Sequence, residues 1–271
     1  MSPAAPAPTR PTVLAVDHVA CEYKLDGGGR FRAVNDVSLN LAESEVLGLV
    51  GESGCGKSTL AKLICGLEKT SEGTITFEST PVRPLGFRRR PAELLGIQMV
   101  FQNPYASLNP RRRIGEQIED ALALDPAGRW TVKDLLAAVD LPTTAANRFP
   151  HAFSGGQRQR IAIARALAAG PKVLIGDEPI ASLDAFLQSR VAQMMRDLAI
   201  ESGASLIFIS HDLSVVREIA DRVAVMEAGR IVEVGDTEQI WNEPGHPYTQ
   251  RLLAAIPKVD GLGTIPGEAG A

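Results

Sequence analysis

The nine residues Gly51-Glu52-Ser53-Gly54-Cys55-Gly56-Lys57-Ser58-Thr59 fit the pattern G-x-x-x-x-G-K-[ST], and few folds can carry it. Residues 45–50 ahead of it are short and rich in β-formers. Residues 60–66 behind it place apolar side chains at helical spacing until Gly66 stops the run. A strand, a tight loop and a helix are therefore predicted in that order. The glycines let the loop wrap closely enough for its N–H groups to converge on phosphate oxygens, and the helix adds the positive end of its dipole. Lys57 then reaches the outer phosphates, and Ser58 offers a hydroxyl to magnesium. The plainer alternative, a glycine-rich turn with no ligand, does not explain why strand and helix flank the loop.

Upstream, residues 12–23 and 32–41 alternate apolar and polar side chains and predict two half-buried antiparallel strands around the loop Asp26-Gly27-Gly28-Gly29. Tyr23, at the end of the first, is either a sheet-surface aromatic or a stacking platform for adenine. Downstream, residues 74–77 and 94–101 predict strands, the second delivering Gln102. Residues 103–110, with two prolines and two asparagines, cannot continue a sheet and mark a change of subdomain. Residues 114–124 and 132–139 predict helices. Ser154 is placed to cap a long helix from Arg158, and Gly155 and Gly156 leave backbone amides bare at its positive end, a second anion site. The continuous apolar runs 172–176 and 205–210 predict buried strands. Helices at 183–200, 238–241 and 248–256 and a hairpin at 222–234 complete the prediction, an α/β chain with a largely parallel sheet.

Gln102, Asp177 and His211 all fall at carboxyl ends of predicted strands, where such sheets hold ligands. Asp177 and Glu178 suit a division of labour. One carboxylate holds magnesium against the phosphates, and the other polarises an attacking water. His211 suits a γ-phosphate contact, and Gln102 a ligand or sensor that responds to nucleotide state. A solvated acidic turn and a mere strand-end histidine are the plainer readings.

The 45% hydrophobic content of this 271-residue chain supports a sizeable core, and a formal net charge of −4 argues against nucleic-acid binding through a basic field. Three cysteines without C-x-x-C spacing suit neither a disulfide framework nor a zinc site and fit a reducing compartment. Cys55 is read as a small residue filling a tight loop, with a redox-sensitive thiol as the alternative. Residues 1–11, rich in Pro and Ala, are expected to form a flexible tail and not a signal peptide. No uncharged apolar run approaches the ~20 residues that span a bilayer, so work at a membrane needs another chain. The triplets Arg88-Arg89-Arg90 and Arg111-Arg112-Arg113 read as solvated faces, with docking to a membrane subunit or lipid as the alternative.

With these residues in view, the chain resembles the ATP-binding cassette family over residues 12–257. The phosphate loop, Phe153-Ser154-Gly155-Gly156-Gln157, the strand ending in Asp177-Glu178-Pro179, Ser182-Leu183-Asp184 and His211 are similar to its Walker A, signature, Walker B, D-loop and H-loop, in family order. Asn103-Pro104-Tyr105-Ala106-Ser107-Leu108-Asn109-Pro110 and Gly245-His246-Pro247-Tyr248-Thr249 resemble the ATPase subunits of peptide and nickel importers. The resemblance implies a P-loop (RecA-like) core with a mainly parallel sheet, an N-terminal antiparallel β subdomain and an α-helical subdomain inserted at about 103–168. The nucleotide-binding domain would span 12–245, and 246–271 would form a C-terminal tail.

It further implies a head-to-tail dimer with a second cassette chain, identical or paralogous. ATP on one chain's Gly51, Ser53, Gly54, Cys55, Gly56, Lys57, Ser58 and Thr59 would be closed over by the other chain's Ser154, Gly155, Gly156, Gln157 and Asp184. Glu178 would be the catalytic base, assisted by His211 and Lys57. Ser58, Gln102 and Asp177 would hold Mg²⁺, and Tyr23 would stack on adenine. Two transmembrane permease subunits, served by an extracytoplasmic solute-binding protein, would anchor the chain at the cytoplasmic face of the membrane, with residues 103–110 facing a coupling helix. Phe153 stands where the family more often has Leu, and Ala181-Ser182 where Ser-Ala is usual. The stretch Ile265-Pro266-Gly267-Glu268 lacks the cysteines that would hold an iron–sulfur cluster. The rival readings are a soluble cassette acting on nucleic acid or the ribosome, disfavoured by the acidic balance, and a regulatory module that binds nucleotide without hydrolysis, disfavoured by the intact Asp177-Glu178 pair.

Overall fold

In the computed structural model, residues 10–25, 27–85, 90–103, 107–125, 127–181 and 183–256 are described. Strands β1 (Thr12–Lys24) and β2 (Arg30–Ala42) are paired antiparallel, with Tyr23 opposite Phe31. β1 also pairs with β4 (Glu72–Phe77), and β5 (Thr80–Pro81) completes a four-stranded sheet in the order β2-β1-β4-β5.

The second sheet is built around β3 (Val46–Val50), which leads into the phosphate loop and then into helix α1 (Lys57–Ile64). β6 (Ile97–Val100), β7 (Val173–Asp177), β8 (Ser205–Ile209) and β9 (Arg222–Glu227) run parallel with it, and β10 (Arg230–Asp236) folds back antiparallel on β9. The order is β10-β9-β3-β8-β7-β6, so β3 sits between neighbours that arrive much later in sequence.

Period-two patterning buries both faces of this sheet. Leu47, Leu49, Ile207 and Ile209 point into one core shared with β1, β2 and α1, while Val46, Val50, Leu206 and Phe208 point into a second core shared with the remaining helices. Those helices are α2 (Ile114–Leu122), α3 (Val132–Ala138), α4 (Gly155–Ala168), α5 (Ala185–Glu201) and α6 (Leu213–Ile219). The short helices α7 (Thr237–Asn242) and α8 (Pro247–Ala254) follow β10.

Two expectations need correction. Residues 92–96 form a 3₁₀ turn, so the strand predicted from Leu94 begins only at Ile97. A Cβ on Gly96 would lie 2.9 Å from the Phe77 ring, so the turn packs closely against the end of β4. Helix α6 was not predicted, although helices as short as α3 and α7 were. Its start is visible afterwards in Asp212, whose carboxylate accepts the N–H groups of Ser214 and Val215 at 2.9 and 3.2 Å. The expected flexible tail lies, but for Arg10 and Pro11, outside the described residues, as do Tyr105, Ser182 and the 265–268 stretch.

Candidate functional site

The carboxyl end of β3 opens into a loop that only glycine can follow. Gly51, Gly54 and Gly56 have φ of 147°, 82° and 110°. A Cβ on Gly51 would lie 2.1 Å from the Met226 carbonyl oxygen, and one on Gly56 would lie 2.2 Å from that of Ala33. The loop is thus wedged between the ends of β9 and β2. The Gly229 N–H closes it further by donating to the Cys55 carbonyl at 2.9 Å. Gly56 begins α1 without any side-chain cap, which leaves the first amides of that helix available to an anion.

Lys57 is only 6% exposed. Its ammonium donates to the carbonyls of Gly51 and Glu52 at 2.7 and 2.8 Å, so a buried cation is held by neutral oxygens. Ser58 donates its hydroxyl to Asp177 Oδ1 at 2.8 Å across the end of β7. Burial pushes the Asp177 carboxyl above its ordinary value, and the Ser58 hydroxyl only partly offsets this. Cys55 is buried beneath the loop with its Sγ 3.7 Å from Lys57 Nζ, where a small side chain fits and a reagent has little access.

Glu178 follows at φ 51°, a left-handed conformation that costs a non-glycine residue on the order of 1 kcal/mol. Its N–H donates to the Ile209 carbonyl at 3.0 Å, which fixes the turn against the end of β8. The carboxylate accepts from His211 Nδ1 at 2.6 Å. His211 is in turn held by the bond from the Asp212 N–H to Ser210 Oγ at 3.0 Å.

Ser53, Gly54, Gly56, Lys57, Ser58, Thr59, Gln102, Glu178 and His211 surround one cavity of about 470 Å³ with Tyr23, Phe31 and Ala33 from the N-terminal sheet. The Tyr23 hydroxyl bonds Thr59, and burial raises its pKa. Phe31 was missed in the sequence, although an aromatic pair at 23 and 31 flanking a glycine loop was the available signal.

Ser154, Gly155, Gly156, Gln157 and Asp184 are not brought to this cavity. They line a separate depression of about 270 Å³ with Leu183 and Leu187. Ser154 caps α4, and it forms a reciprocal box with Gln157 that takes the Gln157 N–H, so the bare amides reduce to those of Gly155 and Gly156. An added Cβ on Gly155 meets nothing within 4 Å. Asp184 caps α5 by accepting the Leu187 N–H at 3.0 Å. Gln159 on α4 donates to the Phe101 carbonyl at 3.4 Å, which ties this helix to the residue before Gln102.

Of the arginine triplets, Arg112 lies just ahead of α2 and is engaged by Glu116 and Asp120 on that helix. Arg90, contrary to a solvated face, is half-buried with two side-chain nitrogens for which no partner is found among the described residues; Arg88 and Arg89 lie outside those residues.

A nucleotide-sized cavity at the carboxyl ends of parallel strands, lined by a phosphate loop, Glu178 and His211, has the form of a P-loop nucleotide site. The family model described as ABC transporter matches residues 34–181, and that described as oligopeptide/dipeptide transporter, C-terminal region, matches residues 232–270. The chain belongs to the ABC transporter family and is an ATP-binding ATPase.

Among its relatives, the dipeptide transport ATP-binding protein DppF of Escherichia coli (strain K12) is 45% identical over 234 residues, covering 84% of this chain and 70% of that protein. The oligopeptide transport ATP-binding protein OppF of Bacillus subtilis (strain 168) is 44% identical over 239 residues, covering 86% and 78%. Among solved structures, a dimeric ATP-binding cassette in a post-hydrolysis state with ADP and phosphate superposes with a TM-score of 0.71 at 28% identity, covering 83% of this chain and 98% of that one. A cassette in its ADP conformation gives 0.73 at 26% identity, covering 90% and 98%. Among the described residues no helix is long and apolar enough to cross a membrane.

Proposed function

We propose that this chain is the ATP-hydrolysing subunit of a membrane importer for peptides or a related small solute. It would work as a dimer with a second cassette chain, attached through two permease subunits to the cytoplasmic face of the membrane. The observation that carries this is the division of the site. Phosphate loop, Gln102, Glu178 and His211 converge on one cavity, with Asp177 bonded to its Ser58, while Ser154, Gly155 and Gly156 line a separate depression. Two such chains, head to tail, would complete each cavity with the partner's helix α4.

In that arrangement the amides of Gly54 to Thr59 and the Lys57 ammonium bind the phosphates, Tyr23 carries the adenine, and Glu178 accepts a proton from the attacking water. His211, already bonded to the Glu178 carboxylate, orients it and meets the γ-phosphate. Ser58 and Asp177 are hard oxygen donors already in contact and fit a magnesium ion, with Gln102 on the same wall. When bound, that ion would neutralise charge on the β- and γ-phosphates. The division into a domain at 12–245 with a helical insert at about 103–168 follows from the same reading. The permease contact would be the groove of about 490 Å³ where Ser107, Leu108 and Asn109 meet α2.

The test is Glu178→Gln in the full-length chain. Phosphate release should fall by about 10²- to 10⁴-fold while MgATP binding persists and a dimer accumulates. Undiminished hydrolysis would remove Glu178 from the role of base.

A further inference from the structure

The segment Gly245-His246-Pro247-Tyr248-Thr249 has no part in the site as described so far, yet the fold carries it to the back of the phosphate loop. Glu233 on β10 accepts the N–H of Gly245 at 2.7 Å through one carboxylate oxygen and that of His246 at 3.1 Å through the other. His246 Nδ1 then accepts the Tyr248 N–H at 3.2 Å, and Pro247 occupies the first turn of α8, where a missing N–H is harmless. The Tyr248 ring is 4% exposed and lies under the Arg251 guanidinium at 5.7 Å, and Arg251 is paired with Glu227 at 3.4 Å. A ring fixed from this many directions presents its hydroxyl in one place. That oxygen accepts the N–H of Glu52 at 3.0 Å.

Glu52 is the residue whose carbonyl holds the Lys57 ammonium at 2.8 Å. Tyr248 and Lys57 therefore grip the two ends of the same residue, one from behind the loop and one from inside it. We infer that Tyr248 is a positioning residue for nucleotide binding, which holds Glu52, and through it the carbonyl support of Lys57, in the conformation that phosphates require.

The reasoning rests on the proposed nucleotide site. A loop that already holds its binding conformation loses less freedom when a ligand arrives, and an unbraced loop is competent only part of the time, which weakens apparent affinity by that fraction. Removing only the hydroxyl keeps the ring packing, so the effect is that of the one hydrogen bond to the Glu52 N–H.

The experiment is calorimetric titration of the full-length chain with MgADP, alongside thermal unfolding without nucleotide. Tyr248→Phe should weaken MgADP about 3- to 10-fold with a Tm within about 2 °C of the parent. The neighbouring Thr249→Val removes a fully buried hydroxyl for which no partner is found among the described residues, and should leave both quantities unchanged. Unaltered MgADP affinity in Tyr248→Phe would overturn the inference. So would equal weakening in Thr249→Val, because the effect would then belong to the packing of α8. Failure of the parent to bind MgADP would instead overturn the proposed function and is read in the same titration.

Discussion

The phosphate loop contains its own control experiment, because Gly54 and Gly56 differ in what surrounds them. Both hold positive φ, 82° and 110°, so alanine at either incurs the left-handed cost of roughly 1–2 kcal/mol. At Gly54 an added Cβ meets nothing within 4 Å. At Gly56 it lies 2.2 Å from the Ala33 carbonyl oxygen and 2.8 Å from Met226 Cε. An ordinary carbon–oxygen contact is about 3.3 Å, so β2 and the loop must part by about 1 Å. The obstacle is backbone and cannot rotate away, which adds an overpacking cost of roughly 1–3 kcal/mol.

Gly54→Ala should then cost the nucleotide-free protein about 1.5 kcal/mol and Gly56→Ala about 4 kcal/mol. At about 2 °C per kcal/mol for a chain of this size, thermal unfolding should show losses of about 3 and 8 °C. Gly56→Ala should also lose the rise in Tm that MgADP gives the parent, since the start of α1 moves with the residue. Equal losses at the two positions would refute the wedge and reduce the glycines to a shared backbone preference.

Because burial raises the Asp177 pKa, its ionised form weakens the empty fold. Stability contributed by this group is greatest below the unfolded value of 3.8 and declines as pH rises to the raised native value. Asp177→Asn should therefore raise the Tm of the nucleotide-free chain near neutral pH, flatten that slope and abolish turnover, as differential scanning calorimetry with an ATPase assay will show. Arg222 reaches Glu45 at 2.7 Å with both side chains nearly buried, and Arg222→Ala should cost about 3 kcal/mol in urea unfolding, whereas Arg222→Met combined with Glu45→Gln should recover most of it.

What could be read in the sequence was whatever short-range spacing determines. The phosphate loop, the paired carboxylates and His211 each sit where an apolar strand ends, and a strand of five buried residues is visible without a structure. Phe31 and Tyr248 were missed for different reasons. Phe31 joins the cavity through its register with Tyr23, which is set by pairing across a loop. Tyr248 meets Glu52 across a separation of 196 residues, and nothing local to either announces the contact. The cap at Ser154 and the bare amides of Gly155 and Gly156 were legible, whereas the return of the Gln157 side chain onto the Ser154 N–H was not read. Asp184, assigned to nucleotide, has a local use as a helix cap that any Asp at that position could serve.

The site already carries the charges its ligand needs. Lys57 is a buried cation satisfied by two carbonyl oxygens, and Asp177 a buried carboxyl satisfied by one hydroxyl. Each therefore keeps an unmet preference for a full counter-charge, and the raised Asp177 pKa is the measurable sign of it. A phosphate chain with a divalent cation supplies both counter-charges in one step. The cost is borne by the empty fold, in the strain at Glu178 and in the charge at Asp177. It follows that substitutions which relieve these two positions should stabilise the empty chain and disable it together, whereas those at the Arg222–Glu45 pair should alter stability and leave nucleotide affinity alone.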